Sequence, residues 1–337
     1  MRVFSGEGKG RGFLLLFGSR AVGGEREDSD YDFLHVYDSE KSLDDMSLIR
    51  KYKGHASIDE MPLETFIEGI RIGVPEILII SKQAAAVFGK RSFKQVMYQN
   101  QGVTSLTISL CLEKIEKNLK VSREYLKEGF LREAAHRLAI AAFWIGAAYC
   151  FLRGEIPSSK RDTFHFLHVE LGIPIRLSVK FDSYKIADLE EPCRDDVQAY
   201  FKKVTQTFRR FRKVAFKDYM EKAKKYLDKA KRHLNSGDPD SSILMSHSAV
   251  ELAVKGYLIK EAGKAPLHLP EAPSKPLFLS KLKKPLSEDT LNSLIELNKM
   301  RNAVYHTTYT PTSNDAENAL STATKILAKP SRSTQEP

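Results

Sequence analysis

Cysteine is scarce. Cys111, Cys150 and Cys193 are the only three in 337 residues. They are too few and too far apart for a disulfide framework or a zinc site of paired cysteines. Long apolar runs are missing as well. No uninterrupted apolar stretch reaches the roughly 18 residues that suggest a membrane-spanning helix. The run at 12–17 is too short for a signal peptide. The expectation is a cytoplasmic chain with no membrane partner. A disorder-type composition is absent too, since hydrophobic residues make up 42% and charged residues 28%. At roughly 100–200 residues per domain, the length suits two or three domains, each with its own core.

What charge there is has a pronounced bias. The formal net charge is +10, and residues 202–232 carry thirteen Lys and Arg against three Asp and Glu. That local excess of ten equals the net charge of the whole chain. A basic stretch of this kind is an electrostatic footprint for RNA or another acidic ligand; the competing reading is a solvated helix face.

Residues 1–100 mix short apolar runs with glycine-rich turns. The segments 13–17, 31–37, 55–61 and 76–80 read as strands, and 41–52 and 63–72 have helical spacing. From 105 onward the periodicity is helical. Helices are expected at 105–128, 131–153, 160–171, 193–215, 217–235, 240–262, 288–306 and 313–328. Five prolines make 264–286 a connection. The fold class is therefore α+β: a small N-terminal mixed sheet with helices, then two all-α bundles. The expected domains are 1–100, 105–215 and 216–329, followed by a tail at 330–337. A helix, a glycine stop and a second long helix occur around Gly129 and again around Gly237, an offset of 108 that suggests an internal repeat.

The most informative motif is Gly18-Ser19-Arg20 followed by Asp28-Ser29-Asp30-Tyr31-Asp32. A Gly-Ser turn after a strand, opening a helix, aims free N–H groups at a phosphate. Asp30 and Asp32 are two apart, so on a strand both carboxylates leave the same face. Such a pair repels itself unless a cation intervenes. Hard oxygen ligands beside a phosphate suit Mg²⁺, and Asp59 on the third strand can add another carboxylate. Glu60 is the fallback, on the opposite strand face.

Residues 18–32 resemble the signature of the DNA polymerase beta-type nucleotidyltransferases, in particular their minimal branch. The likeness covers about residues 10–90, and SIDEMPLETF (57–66) fits the segment that carries the family's third carboxylate. It implies a Mg²⁺-dependent transfer of a nucleoside monophosphate from an NTP, with ATP as the first candidate, to a hydroxyl acceptor. Asp30, Asp32 and Asp59 would be the catalytic and metal-binding residues. Gly18, Ser19 and Arg20 would hold the phosphates. Residues 105–215 are similar to the helical domain that follows the catalytic domain in kanamycin-type nucleotidyltransferases.

Near the end of the helix at 288–306 the chain reads MRNAVYHTTY, with Arg301 and His306 five apart. Together with 217–234 and 246–259, this pair resembles a HEPN domain (higher eukaryotes and prokaryotes nucleotide-binding). The resemblance implies a metal-independent ribonuclease whose site, Arg301 and His306, is completed by homodimerisation. The alternative it leaves open is a non-catalytic nucleotide- or RNA-binding module. Glu251 falls where that family often has a polar residue. Nucleotidyltransferases and HEPN proteins of these kinds commonly pair as antitoxin and toxin, and Tyr305 and Tyr309 stand near the Arg–His element as candidate acceptors.

Overall fold

The protein is described from a computed structural model covering residues 12–18, 20–23, 31–38, 56–99, 102–185, 190–262 and 288–328. The chain divides into two compact units, Met1–Val204 and Thr205–Pro337. The expected helix at 41–52, the connection at 264–286 and the tail lie outside the described residues.

The first unit opens on a four-stranded sheet of β1 (Phe13–Phe17), β2 (Tyr31–Tyr37), β3 (Ala56–Pro62) and β4 (Ala85–Phe88), in the order β3-β2-β1-β4. β1 runs antiparallel to β2 and β4, and β2 runs parallel to β3. Alternation splits the side chains between two faces. Phe13, buried on one face, meets Phe66 and Phe93, each with its ring centroid 5.3 Å away. Those rings come from α1 (Leu63–Ile72) and α3 (Lys90–Gln99). On the other face Leu14 and Phe33 pack with Leu16, Tyr31, Ile58, Val87 and Phe88.

The segment 76–80, expected as a strand, belongs to α2 (Pro75–Gln83). Pro75 sits in the first turn, where its missing N–H costs nothing. Pro75, Ile77, Leu78, Ile79 and Ser81 are all buried. An apolar run that is buried nearly all round has no periodicity by which to tell helix from strand.

Helical structure then takes over with α4 (Ser105–Glu128) and α5 (Leu131–Leu152), followed by α6 (Lys160–Leu171) and α7 (Ile175–Asp182). The hydroxyls of Thr104 and Thr107 donate to the carbonyls of Ile72 and Gly73, at 2.6 and 2.7 Å. They thus satisfy the end of α1 while anchoring the start of α4. By length and composition α5 is apolar enough to cross a membrane. Arg132, Glu133 and Arg137 confine its uninterrupted apolar run to 138–152, short of about 18 residues, which is why run length alone passes over it. In the fold 61% of its most apolar window is buried, and it is the central helix of this unit.

A 42-residue helix, α8 (Arg194–Asn235), follows. A break was expected near 216, and none occurs. Val197, Tyr200, Val204, Phe208, Phe211, Ala215, Tyr219, Ala223, Leu227 and Ala230 are all buried. Their three- and four-residue spacing continues one stripe through the position of the expected break. The division between the two units falls within this helix.

In the second unit the C-terminal part of α8 joins α9 (Pro239–Ala262), α10 (Glu288–His306) and α11 (Ser313–Leu327). Ala316, Ala319 and Ala323 let α11 lie close to Ala249, Val250, Ala253 and Val254 of α9. α11 begins with a reciprocal cap. Thr312 Oγ1 accepts from the Asp315 amide at 3.2 Å, and Asp315 Oδ2 accepts from the Thr312 amide at 2.9 Å. The 108-residue offset holds at element level: Gly129 precedes α5 at Leu131, and Gly237 precedes α9 at Pro239.

Candidate functional site

In the sheet unit the antiparallel register sets Phe17 beside Asp32, and the parallel register sets Asp32 beside Ser57 and Leu34 beside Asp59. With a side-chain period of two, Asp32, Ser57 and Asp59 therefore share one face. Ser57 Oγ donates to Asp32 Oδ1 at 2.9 Å. The other carboxylate oxygen faces Gly18 so closely that a Cβ there would lie 2.5 Å from Asp32 Oδ2. Gly18 also has φ +75°, a conformation that disfavours any side chain. The glycine at the end of β1 is thus shaped to the carboxylate on β2.

Asp32 is half-buried and Asp59 exposed. Among the described residues neither has a basic partner. Among the described residues the partner of the half-buried Asp32 carboxylate is the Ser57 hydroxyl, and a second carboxylate, Asp59, lies on the same face. Asp30 and Ser19 lie outside the described residues. Within the described residues alone no group of three His, Cys, Asp or Glu side chains could hold a metal.

The expected opening of a helix after Gly18 is not seen through residue 23. Ala21 N donates to Gly18 O at 3.2 Å, and residues 20–23 form a turn. The second positive φ, at Gly23, turns the backbone out of helical geometry. Arg20 is committed nearby. Its guanidinium lies 4.1 Å from the Tyr31 ring centroid, and Nη1 donates to the Tyr31 hydroxyl at 3.3 Å. Glu60 pairs in register with His35 on the opposite face, 3.9 Å from its Nδ1.

The helical unit holds a second polar constellation. Arg301 and His306 both lie on α10. The Arg301 guanidinium sits 4.6 Å from the centroid of the Tyr305 ring, which is itself 6.2 Å from the His306 ring. Tyr305 thus stands between the two, and His306 is exposed at the helix end. Arg301 Nη1 also donates to Asn302 Oδ1 at 2.8 Å. Tyr309 donates to Asp315 Oδ2 at 2.8 Å, and that bond raises its pKa above the ordinary phenol value.

Sequence reasoning singled out Glu251 but missed its neighbours His247 and Lys255. His247, Glu251 and Lys255 recur every fourth residue on α9. His247 and Lys255 are buried, at 7% and 3% exposure, and Lys255 Nζ donates to Glu251 Oε1 at 2.5 Å. Burial pulls the His247 imidazole below its ordinary value. Glu251 opposes that shift, Arg301 reinforces it, the neighbouring Asn298 side chain opposes it and Lys255 reinforces it. The matching positions of α5, 108 residues earlier, are Ala139, Phe143 and Ala147. A helix in that place can therefore pack without polar groups. The polar stripe at four-residue spacing on a buried helix was the available signal.

The basic stretch 202–232 also divides. Arg209, Arg210, Lys213, Lys217, Lys224 and Lys225 are exposed. Arg212 turns inward instead, and its Nε and Nη2 donate to the carbonyls of Ile259 and Lys260 at 2.9 and 2.8 Å. Those are orphan acceptors in the last turn of α9, so Arg212 serves as a helix cap.

Comparison with known families finds a HEPN domain at residues 216–332. It begins within α8 and takes in α9, α10 and α11. No nucleotidyltransferase family is detected. None of the curated proteins matches the chain.

Proposed function

We propose that the protein is a nucleotidyltransferase joined to a HEPN domain, moving a nucleoside monophosphate from an NTP, most simply ATP, to a hydroxyl acceptor. The observation that carries this reading is the close fit of Gly18 against Asp32, with Asp59 on the same sheet face. Asp30, Asp32 and Asp59 would hold Mg²⁺, which balances charge on the triphosphate and acidifies the acceptor hydroxyl. The Gly18–Ser19 turn holds the terminal phosphates on backbone N–H groups. The acceptor oxygen bonds to the α-phosphorus as the bond to the bridging oxygen breaks. Pyrophosphate leaves, and Asp59 receives the acceptor proton. Arg20, already stacked on Tyr31, steadies the turn from the side. The acceptor is an RNA end, a protein tyrosine or a small molecule, with Tyr305 and Tyr309 candidates of the second kind. Incubation with α-labelled NTPs, Mg²⁺ and total RNA should label one of these, and Asp32→Ala should abolish the label while the protein stays folded. Transfer at the wild-type rate by Asp32→Ala would remove the assignment.

A second reading rests on the HEPN domain, since HEPN domains are often ribonucleases. The exposed His306 is free to act on a 2′-hydroxyl or leaving oxygen, and Arg301 to neutralise the phosphate. Arg301 and His306, five residues apart on one helix, diverge by about 140° in azimuth. A complete site therefore draws on two copies of the domain about a two-fold axis. The fused transferase would then regulate a toxin-like nuclease, and the basic face of α8 would hold the RNA. His306→Ala should remove RNA cleavage measured in EDTA and leave nucleotide transfer intact. A monomer without EDTA-resistant cleavage would make the domain a nucleotide- or RNA-binding module instead.

A further inference from the structure

The outer face of α3 is a surface to which neither reading gives a role. Its exposed side chains are Lys90, Arg91, Lys94, Gln95 and Tyr98. Arg91, Lys94, Gln95 and Tyr98 follow the i, i+3, i+4, i+7 pattern of a single helix face and line one shallow groove. The helix has no acidic residue. Among the described residues no carboxylate pairs with Arg91 or Lys94, so both charges stand available. Tyr98 is 88% exposed, the most exposed large hydrophobic side chain described. The opposite side of the helix is spent on packing, where Phe93 meets Phe13 and Val96 is buried. The outward ring is therefore not a residue the core failed to cover.

We infer that this face binds single-stranded RNA. Two cations and a free aromatic ring on one stripe match the two parts of a nucleotide: phosphate on Arg91 and Lys94, a base stacked on Tyr98. Seven residues of helix rise about 10 Å, the length of about three stacked nucleotides at about 3.4 Å each. A single strand is required, because a duplex keeps its bases stacked on one another and offers Tyr98 no face. Gln95 lies between the cations and the ring, and its amide can both donate to and accept from a ribose 2′-hydroxyl, the group that separates RNA from DNA. A membrane surface fits poorly, because no aliphatic side chain accompanies Tyr98 on the exposed stripe. An acidic peptide would use the cations but leave the ring idle.

The test is fluorescence anisotropy of a fluorescein-labelled oligouridylate with the full-length protein. It is run in EDTA without NTP, and strand integrity is checked on a gel. Neither transfer nor the Arg301–His306 element enters this readout. Tyr98→Ala should weaken binding about five- to hundredfold, while Tyr98→Phe keeps wild-type affinity. The double variant Arg91→Ala/Lys94→Ala should reduce the slope of log affinity against log salt by about 1.4, two phosphates at about 0.7 each. Tyr98→Ala should leave binding of duplex RNA unchanged. Wild-type affinity in Tyr98→Ala would overturn the inference. So would tighter binding of the same DNA sequence, or a polyglutamate peptide or anionic vesicle that binds as strongly and is lost in the same variants.

Discussion

Replacing Gly18 with alanine separates backbone strain from damage to the carboxylate. The residue's φ of +75° costs an L-residue about 1–2 kcal/mol. The same conformation recurs at Gly23, φ +71°, where an added Cβ would meet nothing within 4 Å. At Gly18 the Cβ would lie 2.5 Å from Asp32 Oδ2, whereas ordinary contact begins at 3.4 Å. The carboxylate must therefore retreat by about 0.9 Å, and the Ser57 hydroxyl resists from the other oxygen at 2.9 Å. Losing a hydrogen bond to a charged acceptor costs about 1.5–3 kcal/mol, the lower end applying to this exposed contact. Gly18→Ala should thus be destabilised by about 1–2 kcal/mol more than Gly23→Ala in urea unfolding. The larger difference should lie in function, because a misplacement near 1 Å at a reacting centre costs about 100-fold. Single-turnover transfer of labelled nucleotide should fall by that order in Gly18→Ala and remain near wild type in Gly23→Ala. Equal loss in the two variants would refute the argument that Gly18 acts by seating Asp32.

Arg212→Ala should destabilise the helical unit by about 1.5–3 kcal/mol, because two α9 carbonyls lose a charged donor. Arg210→Ala, two residues away and exposed, should change stability by less than about 0.5 kcal/mol and weaken only RNA affinity. Denaturation and filter binding of both variants check the division. His247 gives a pH dependence. Its folded pKa lies below the ordinary 6.5, so the folded state prefers the neutral ring. Its contribution is complete above the ordinary value and is lost as pH falls from there through the lowered folded value. Glu251 and Lys255 on α9, and Asn298 and Arg301 on α10, face it and set the position of that window. His247→Phe should flatten the loss of stability on acidification, measured by denaturation at a series of pH values; an unchanged slope would remove His247 as its source.

Much of the architecture was legible without coordinates. Aromatic and aliphatic runs bounded by turn residues marked β1 and β2, the segment 55–61 was a further strand candidate that became β3, and helical spacing with glycine or proline stops marked α4, α5, α6, α9, α10 and α11. These are local signals: the residue pattern and the stop occur within the element itself. Gly18 and Asp32 were also visible as residue types at suggestive spacing. Their closeness was not, because it depends on pairing between β1 and β2 across a turn. Tertiary burial decided that 76–80 is helix, since an apolar run covered on nearly every side has no period to read. It decided that α8 runs unbroken past residue 216, because buried Phe211, Ala215, Tyr219 and Ala223 keep helical spacing there. It also set Arg212 apart from Arg209 and Arg210: all three look alike in a basic run, and only packing places the end of α9 against one of them. The seam of His247, Glu251 and Lys255 gained its meaning the same way. Charge on a helix usually means solvent, and only the fold shows that these side chains point inward.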